Sequence, residues 1–175
     1  MTANEGIQMG RAKNAVLEFL ENRLIVPKIY LDADWGGQRV DVLAIERDGV
    51  GDVHAVLLFN HRYFRIAGTD KLHEWEMEEK LLARFATISA QFKYIGAVDS
   101  ESEKKQTNFQ LASSVSEKTF SPDGLGRTGF LKIDVPTKGE PEVKMEIRPE
   151  RFRAKIAKLA DEFVQQHEAD WEIRA

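Results

Sequence analysis

Residues 39–59 read Arg39-Val40-Asp41-Val42-Leu43-Ala44-Ile45-Glu46, then Arg47-Asp48-Gly49-Val50-Gly51-Asp52, then Val53-His54-Ala55-Val56-Leu57-Leu58-Phe59. Two short, β-branched and almost continuously apolar runs flank a segment of turn-forming residues. That pattern predicts a hairpin, and runs without polar alternation predict strands covered on both faces. Upstream, residues 12–25 place Val16, Leu17, Leu20 and Leu24 on one stripe at helical spacing, and Pro27 stops the pattern. Downstream, residues 71–92 read as a helix with Trp75, Leu81, Leu82, Phe85 and Ile88 inward and charge outward. A buried strand follows at 94–98 (YIGAV). A helix between two apolar strands is the signature of helices packed on a sheet.

Further on, residues 99–128 are polar and irregular and read as a long surface loop with one short helix, or a flap. Residues 129–135 (GFLKIDV) and 142–148 (EVKMEIR) alternate with period two around Pro136, Gly139 and Pro141, which predicts a second, half-buried hairpin. Pro149 opens a last predicted helix running to about residue 168, with Phe152, Ile156, Leu159, Ala160 and Phe163 on one side. The expected order is α-β-β-α-β-β-β-α, a mixed α/β fold with a central mixed sheet flanked by helices. One domain spanning residues 1–175 is expected, with residues 1–11 a loosely ordered N-terminus.

Composition narrows the chemistry. A hydrophobic share of 42% and a charged share of 31% are those of a globular chain, and no apolar run approaches a bilayer span. Residues 1–11 carry Glu5 and no apolar core, so they do not read as a secretory signal, and the expected compartment is the cytoplasm. The absence of cysteine removes disulfides, thiolate nucleophiles and Cys-based zinc sites. A net charge of −4 supplies no global attraction to phosphate backbones, so nucleic acid is not a favoured partner and any such contact would be local.

An opening helix, then Gly37-Gln38-Arg39-Val40-Asp41-Val42-Leu43-Ala44-Ile45, a turn, and an apolar strand leading to a long helix resembles the start of PD-(D/E)XK, restriction-endonuclease-like domains. The resemblance covers roughly residues 12–98. It implies an Asp at the position of Asp41 on one central strand and a Glu-x-Lys on the next. Two carboxylates there would hold Mg²⁺ or Mn²⁺ against a phosphate while the lysine orients water. The second strand instead reads Val56-Leu57-Leu58-Phe59-Asn60, so neither the Leu57/Phe59 frame nor the Leu58/Asn60 frame supplies a carboxylate or an ammonium. Acids that could have migrated in are Glu18 or Glu21 on the first helix and Asp52 or His54 at the second strand's start. Their bland readings are solvated helix charges, a turn residue and a structural histidine. Asp41 is either a metal ligand or a carboxylate at a strand end that caps backbone or pairs with Arg39 or Arg62.

Other motifs resolve into structure. Gly124-Leu125-Gly126-Arg127-Thr128-Gly129 matches a dinucleotide glycine pattern but precedes a strand where it should follow one, and reads as a turn. His73-Glu74-Trp75-Glu76-Met77 has Met77 where a zincin requires its second histidine. A binding patch is suggested by His61, Arg62, Tyr63, Arg65 and Lys71, basic groups interleaved with aromatics. Trp171-Glu172-Ile173 is either a core plug or a surface for self-association. The expected function is a catalytically degenerate PD-(D/E)XK-like domain acting as a binding or structural module, as a homodimer or within a protein complex, without a cofactor. Two alternatives are a divalent-metal-dependent nuclease rearranged around Asp41 and an enzyme unrelated to nucleic acids using a cleft near residues 60–65.

Overall fold

The apolar runs at 38–45 and 53–59 do form neighbouring antiparallel strands, paired from Val42–Val56 to Ile45–Val53. The computed structural model describes residues 3–60, 74–100, 105–119 and 126–167. In chain order the elements are α1 (Ala3–Arg23), β1 (Lys28–Trp35), β2 (Gln38–Ile45), the four-residue turn α2 (Glu46–Gly49) and β3 (Val53–Phe59). They continue with α3 (Glu74–Thr87), β4 (Phe92–Ser100), α4 (Lys105–Lys118), β5 (Gly129–Val135), β6 (Glu142–Ile147) and α5 (Ala157–Gln166). Among the described residues no helix is long and apolar enough to cross a membrane.

The six strands form one mixed sheet in sequential order, β1 through β6. β3, β4 and β5 run parallel, and β1–β2, β2–β3 and β5–β6 are antiparallel. Parallel neighbours need a crossover, supplied by α3 between β3 and β4 and by α4 between β4 and β5. Both lie on one face. There Met77, Leu81 and Phe85 of α3, Leu111 and Val115 of α4 and Phe163 of α5 join Leu43, Leu57 and Ile95 of the sheet. Val16, Leu17 and Leu20 of α1 cover the opposite face against Val42, Val56, Leu131 and Ile133. All seven residues of β3 are buried, as a strand between two helical layers must be.

Four sequence expectations are revised. A strand, β1, stands at 28–35, where Asp32 and Asp34 interrupt the apolar pattern; Asp32 itself is left-handed at φ 52°. Within residues 99–128, read as a surface loop with one short helix or a flap, α4 is a helix of 14 residues. Its Asn, Ser and Thr content disguises it, because those residues favour caps and turns over helix interiors. The helix expected from Pro149 starts only at Ala157: residues 150–156 are non-helical, held by Arg127–Glu150 backbone bonds and by Phe152 N–H donating to Gln91 O at 2.7 Å. At the N-terminus, α1 begins at Ala3, inside the stretch expected to be loose. The observed order is therefore α-β-β-β-α-β-α-β-β-α, with α2 a mere turn.

Candidate functional site

Asp41 sits in the middle of β2, not at its end, and is 7% exposed. The β2–β3 ladder stops at Val42–Val56, so the two strands part company one residue short of Asp41, beside the end of β3 that carries Leu57 and Leu58. Leu58 N–H thereby loses its strand partner, and Asp41 Oδ2 accepts it at 2.7 Å. A buried carboxylate needs such a donor. Burial nevertheless dominates and raises the Asp41 pKa, against the lowering effect of the Leu58 bond and of the Lys13, Arg84 and Arg39 charges.

Across the β1–β2 ladder, Asp32 falls opposite Asp41, between the pairs Leu31–Val42 and Ala33–Val40. Its Oδ1 is shared by Lys13 Nζ at 2.7 Å and Arg39 Nη2 at 2.8 Å. Burial pushes the Asp32 carboxyl up, but these two bonds outweigh it and hold the pKa below the usual value. Arg39 therefore pairs with Asp32 and not with Asp41, as its side-chain contacts show. Arg84 Nη2 reaches the Arg39 carbonyl at 3.3 Å, tying α3 to the same corner.

Beside this corner, Asn60 follows β3 and donates to Val98 O at 2.6 Å. Asn108 of α4 donates to Asp99 Oδ1 at 2.5 Å at the end of β4. The C-terminal ends of β3 and β4 thus carry a buried amide–carboxylate cluster. C-terminal strand ends of open α/β sheets are a common ligand position.

The migration candidates lie elsewhere. Glu18 is exposed and lines a groove of about 440 Å³ with Arg11, Asn14 and Glu140 beside the β5–β6 turn. Helical spacing sets Glu18 about 140° around α1 from Lys13, the residue that reaches toward Asp41. Glu21 also lies on α1, and Asp52 is engaged by Arg151 Nη2 at 3.1 Å. His54 is buried; its Nδ1 meets the Tyr94 hydroxyl at 2.8 Å and its ring stacks on Phe92 at 4.7 Å. Glu46 Oε2 lies 3.2 Å from Nε2 without the alignment of a hydrogen bond. Burial lowers the His54 pKa despite Glu46 and Asp52, so the imidazole is held neutral. Its structural reading fits this setting. Among the described residues no group of three or more His, Asp or Glu side chains is placed to hold a metal ion.

The patch of His61, Arg62, Tyr63, Arg65 and Lys71, the residues His73 and Trp171–Ile173, and the first part of the 124–129 glycine motif lie outside the described residues. Met77 is core, packed with Leu81 and Phe85. Sequence reasoning missed Lys13, Asp32, Asp99 and Asn108. Asp32 was legible only as a polar break in a strand, and Asp99 and Asn108 only as members of a polar stretch.

A second cavity, of about 710 Å³, lies between the α2 turn, Gln91 and the segment 154–161. Arg47 on its rim, and Val26 and Asp48 next to lining residues, have φ between 43° and 60°, a region that side-chain-bearing residues seldom adopt.

No protein-family model and no curated protein matches this sequence. Among solved structures, a protein of unknown function from Silicibacter pomeroyi superposes with a TM-score of 0.50 at 12% identity, covering 93% of this chain and 86% of that one. That likeness concerns the fold alone, which in this chain is a mixed six-stranded sheet flanked by helices.

Proposed function

We propose that this chain is a PD-(D/E)XK-like domain whose catalytic site has degenerated and which serves as a binding or structural module. The observation that carries the reading is the commitment of Asp41 to the Leu58 backbone N–H, in a buried position flanked on β3 by the apolar Leu57, Leu58 and Phe59. A hard divalent cation requires several oxygen donors free to turn toward it. Here the carboxylate opposite it on β1, Asp32, is already held by Lys13 and Arg39. Burial also favours the neutral form of Asp41, the form least able to ligate. The described residues therefore do not fit the metal that the resemblance implies, and no hydrolytic step follows from them.

A metal-dependent nuclease is the second reading, favoured by one observation: Asp32 and Asp41 lie opposite each other on adjacent strands with Lys13 close by. Calorimetric titration with Mn²⁺ separates the two. The binding-module reading expects weak, indistinguishable heats from the wild type and Asp41→Ala. Saturable one-site binding that disappears in Asp41→Ala would overturn it and call for a screen of DNA and RNA cleavage.

A further inference from the structure

The cavity of about 710 Å³ beside the α2 turn takes no part in the Asp41 corner: it opens where β3 begins, at Val53, whereas Leu58 stands near the end of that strand. One wall is the start of α5, through Ala157, Lys158 and Ala160. That helix is left uncapped. Its N-cap is Ile156, which has no side-chain acceptor to offer, and its first turn holds no acidic residue. The first intrahelical bond is Ala160 N–H to Ile156 O at 2.8 Å, so the N–H groups of Ala157, Lys158 and Leu159 have no acceptor within the helix. Such donors, at the positive end of the helix dipole, attract an anion.

A buried side-chain donor joins the helix start. Gln91 lines the same cavity and is 9% exposed. Its Oε1 accepts the Val53 N–H at 2.8 Å, which fixes the orientation of the amide, because an N–H requires the oxygen and not the nitrogen. Nε2 is therefore turned away from Val53, and among the described residues it has no hydrogen-bond partner. A buried amide donor is costly unless something in the cavity accepts from it.

Basic side chains rim this space. Arg47, Lys155 and Lys158 are exposed around it, and among the described residues neither Arg47 nor Lys155 has an acidic partner. Lys158 reaches only Glu162, at 4.0 Å. Three acids also line the cavity, and two are occupied. Asp52 is engaged by Arg151 at 3.1 Å, and Glu46 turns to the Ile25 N–H at 3.3 Å and to His54 Nε2 at 3.2 Å. Asp161 alone is left, so the uncompensated charge of the rim is positive. Arg47 is carried there on a backbone at φ 54°, pinned by its N–H donating to Ile25 O at 2.7 Å. Left-handed backbone at a residue with a side chain is costly and collects at ligand sites.

We propose that this cavity binds the phosphate group of a small phosphomonoester. The three terminal oxygens of a monoester satisfy the α5 N–H groups, the Gln91 amide and the Arg47 guanidinium together, where the two oxygens of a carboxylate leave donors over. The volume is that of a site for a whole small molecule, and Ile25, Val50 and Ala160 on its lining offer apolar contact to the body that carries the phosphate. The outcome of the Mn²⁺ titration at Asp41 does not bear on this site.

Calorimetric titration of the full chain with glycerol 3-phosphate, adenosine 5′-monophosphate and inorganic phosphate, at fixed ionic strength, tests it. Saturable binding at one site is expected, with at least one monoester tighter than inorganic phosphate. Arg47→Gly removes the guanidinium, and glycine takes a φ of 54° without strain. This variant is expected to bind about tenfold or more weakly while melting no lower than the wild type. Ala157→Asp sets a carboxylate in the first turn of α5, where it takes the place of the anion. It is expected to melt higher than the wild type and to bind about tenfold or more weakly. Gln91→Glu keeps an oxygen for the Val53 N–H and turns a carboxylate oxygen into the cavity in place of the donor, which is expected to abolish binding. Should its buried charge unfold the chain, the other two variants, both at exposed positions, decide the matter. A chain that takes up none of the three probes, an affinity for inorganic phosphate equal to or above that for both monoesters, or binding indifferent to Arg47→Gly and Ala157→Asp would overturn the proposal.

Discussion

Asp41 shows how one side chain can be both costly and retained. Its carboxylate repairs the backbone where β2 and β3 diverge, accepting the Leu58 N–H that the ladder abandons. Burial raises its pKa, so the folded state binds that proton more tightly than the unfolded chain does. A raised folded pKa makes a contribution that is fully present below the ordinary carboxylate value of 3.8 and is lost as pH rises through the folded pKa. Asp41→Asn keeps an oxygen acceptor for Leu58 without the charge. It is expected to be more stable than the wild type at neutral pH by about 1 kcal/mol, roughly 2–4 °C in Tm, with the difference vanishing at acid pH. Thermal melts of both proteins across a pH series check this, and a neutral-pH loss of stability in Asp41→Asn would show that the ionised form is favoured by its surroundings.

At the scale of elements, close approach explains Gly96 and the segment before α5. In β4, Gly96 leaves room for the side chains of Leu58 and Ile133, which lean in from the strands on either side; a Cβ there would lie 2.4 Å from Leu58 Cδ2 and 3.0 Å from Ile133 Cδ1. Gly96→Ala is expected to destabilise the fold by ~1–3 kcal/mol through overpacking beneath α1, measurable as a lowered midpoint in urea with an unchanged slope. The non-helical run 150–156 obeys the same logic. Phe152 lies against Gly126, where a Cβ would come within 2.3 Å of its ring, and beneath the Lys93 ammonium at 4.6 Å. Helical periodicity at Phe152, Ile156, Leu159 and Phe163 was genuine only for its second half. For the first half, strand-like bonds to Arg127 and Gln91 offered the backbone better partners than a helical turn.

At the scale of the whole molecule, the two edges of the sheet are treated differently. On one side α5 covers β1: the Phe163 ring packs edge-on against Tyr30 at 4.9 Å and Trp35 at 5.4 Å, and stacks on His167 at 4.1 Å. The Tyr30 hydroxyl, shielded chiefly by burial with Asp48 nearby, has its pKa pushed up to about 12. Phe163→Ala is expected to cost ~3–5 kcal/mol and to loosen β1 and α5 together, which hydrogen exchange would register as lost protection in both segments. On the other side, β6 pairs with β5 alone among the described residues, and a bulge at Glu146 breaks the regularity of that edge. Much of this was readable in advance. Continuous apolar runs marked β2 and β3 as buried on both faces, and alternation marked β5 and β6 as a hairpin, because burial on one face or two writes itself into residue order. That β3 offers no carboxylate or ammonium at Leu57, Leu58 or Phe59 was equally plain, since no packing can turn those side chains into metal ligands. Tertiary structure decided the rest: that polar β1 and Ser-rich α4 are regular elements, that residues 150–156 are not helical, and that Asp41 serves the backbone while Lys13 and Arg39 hold Asp32. Each depends on hydrogen-bond partners and covering surfaces distant in sequence, and local composition carries no record of partners that only the folded chain brings near.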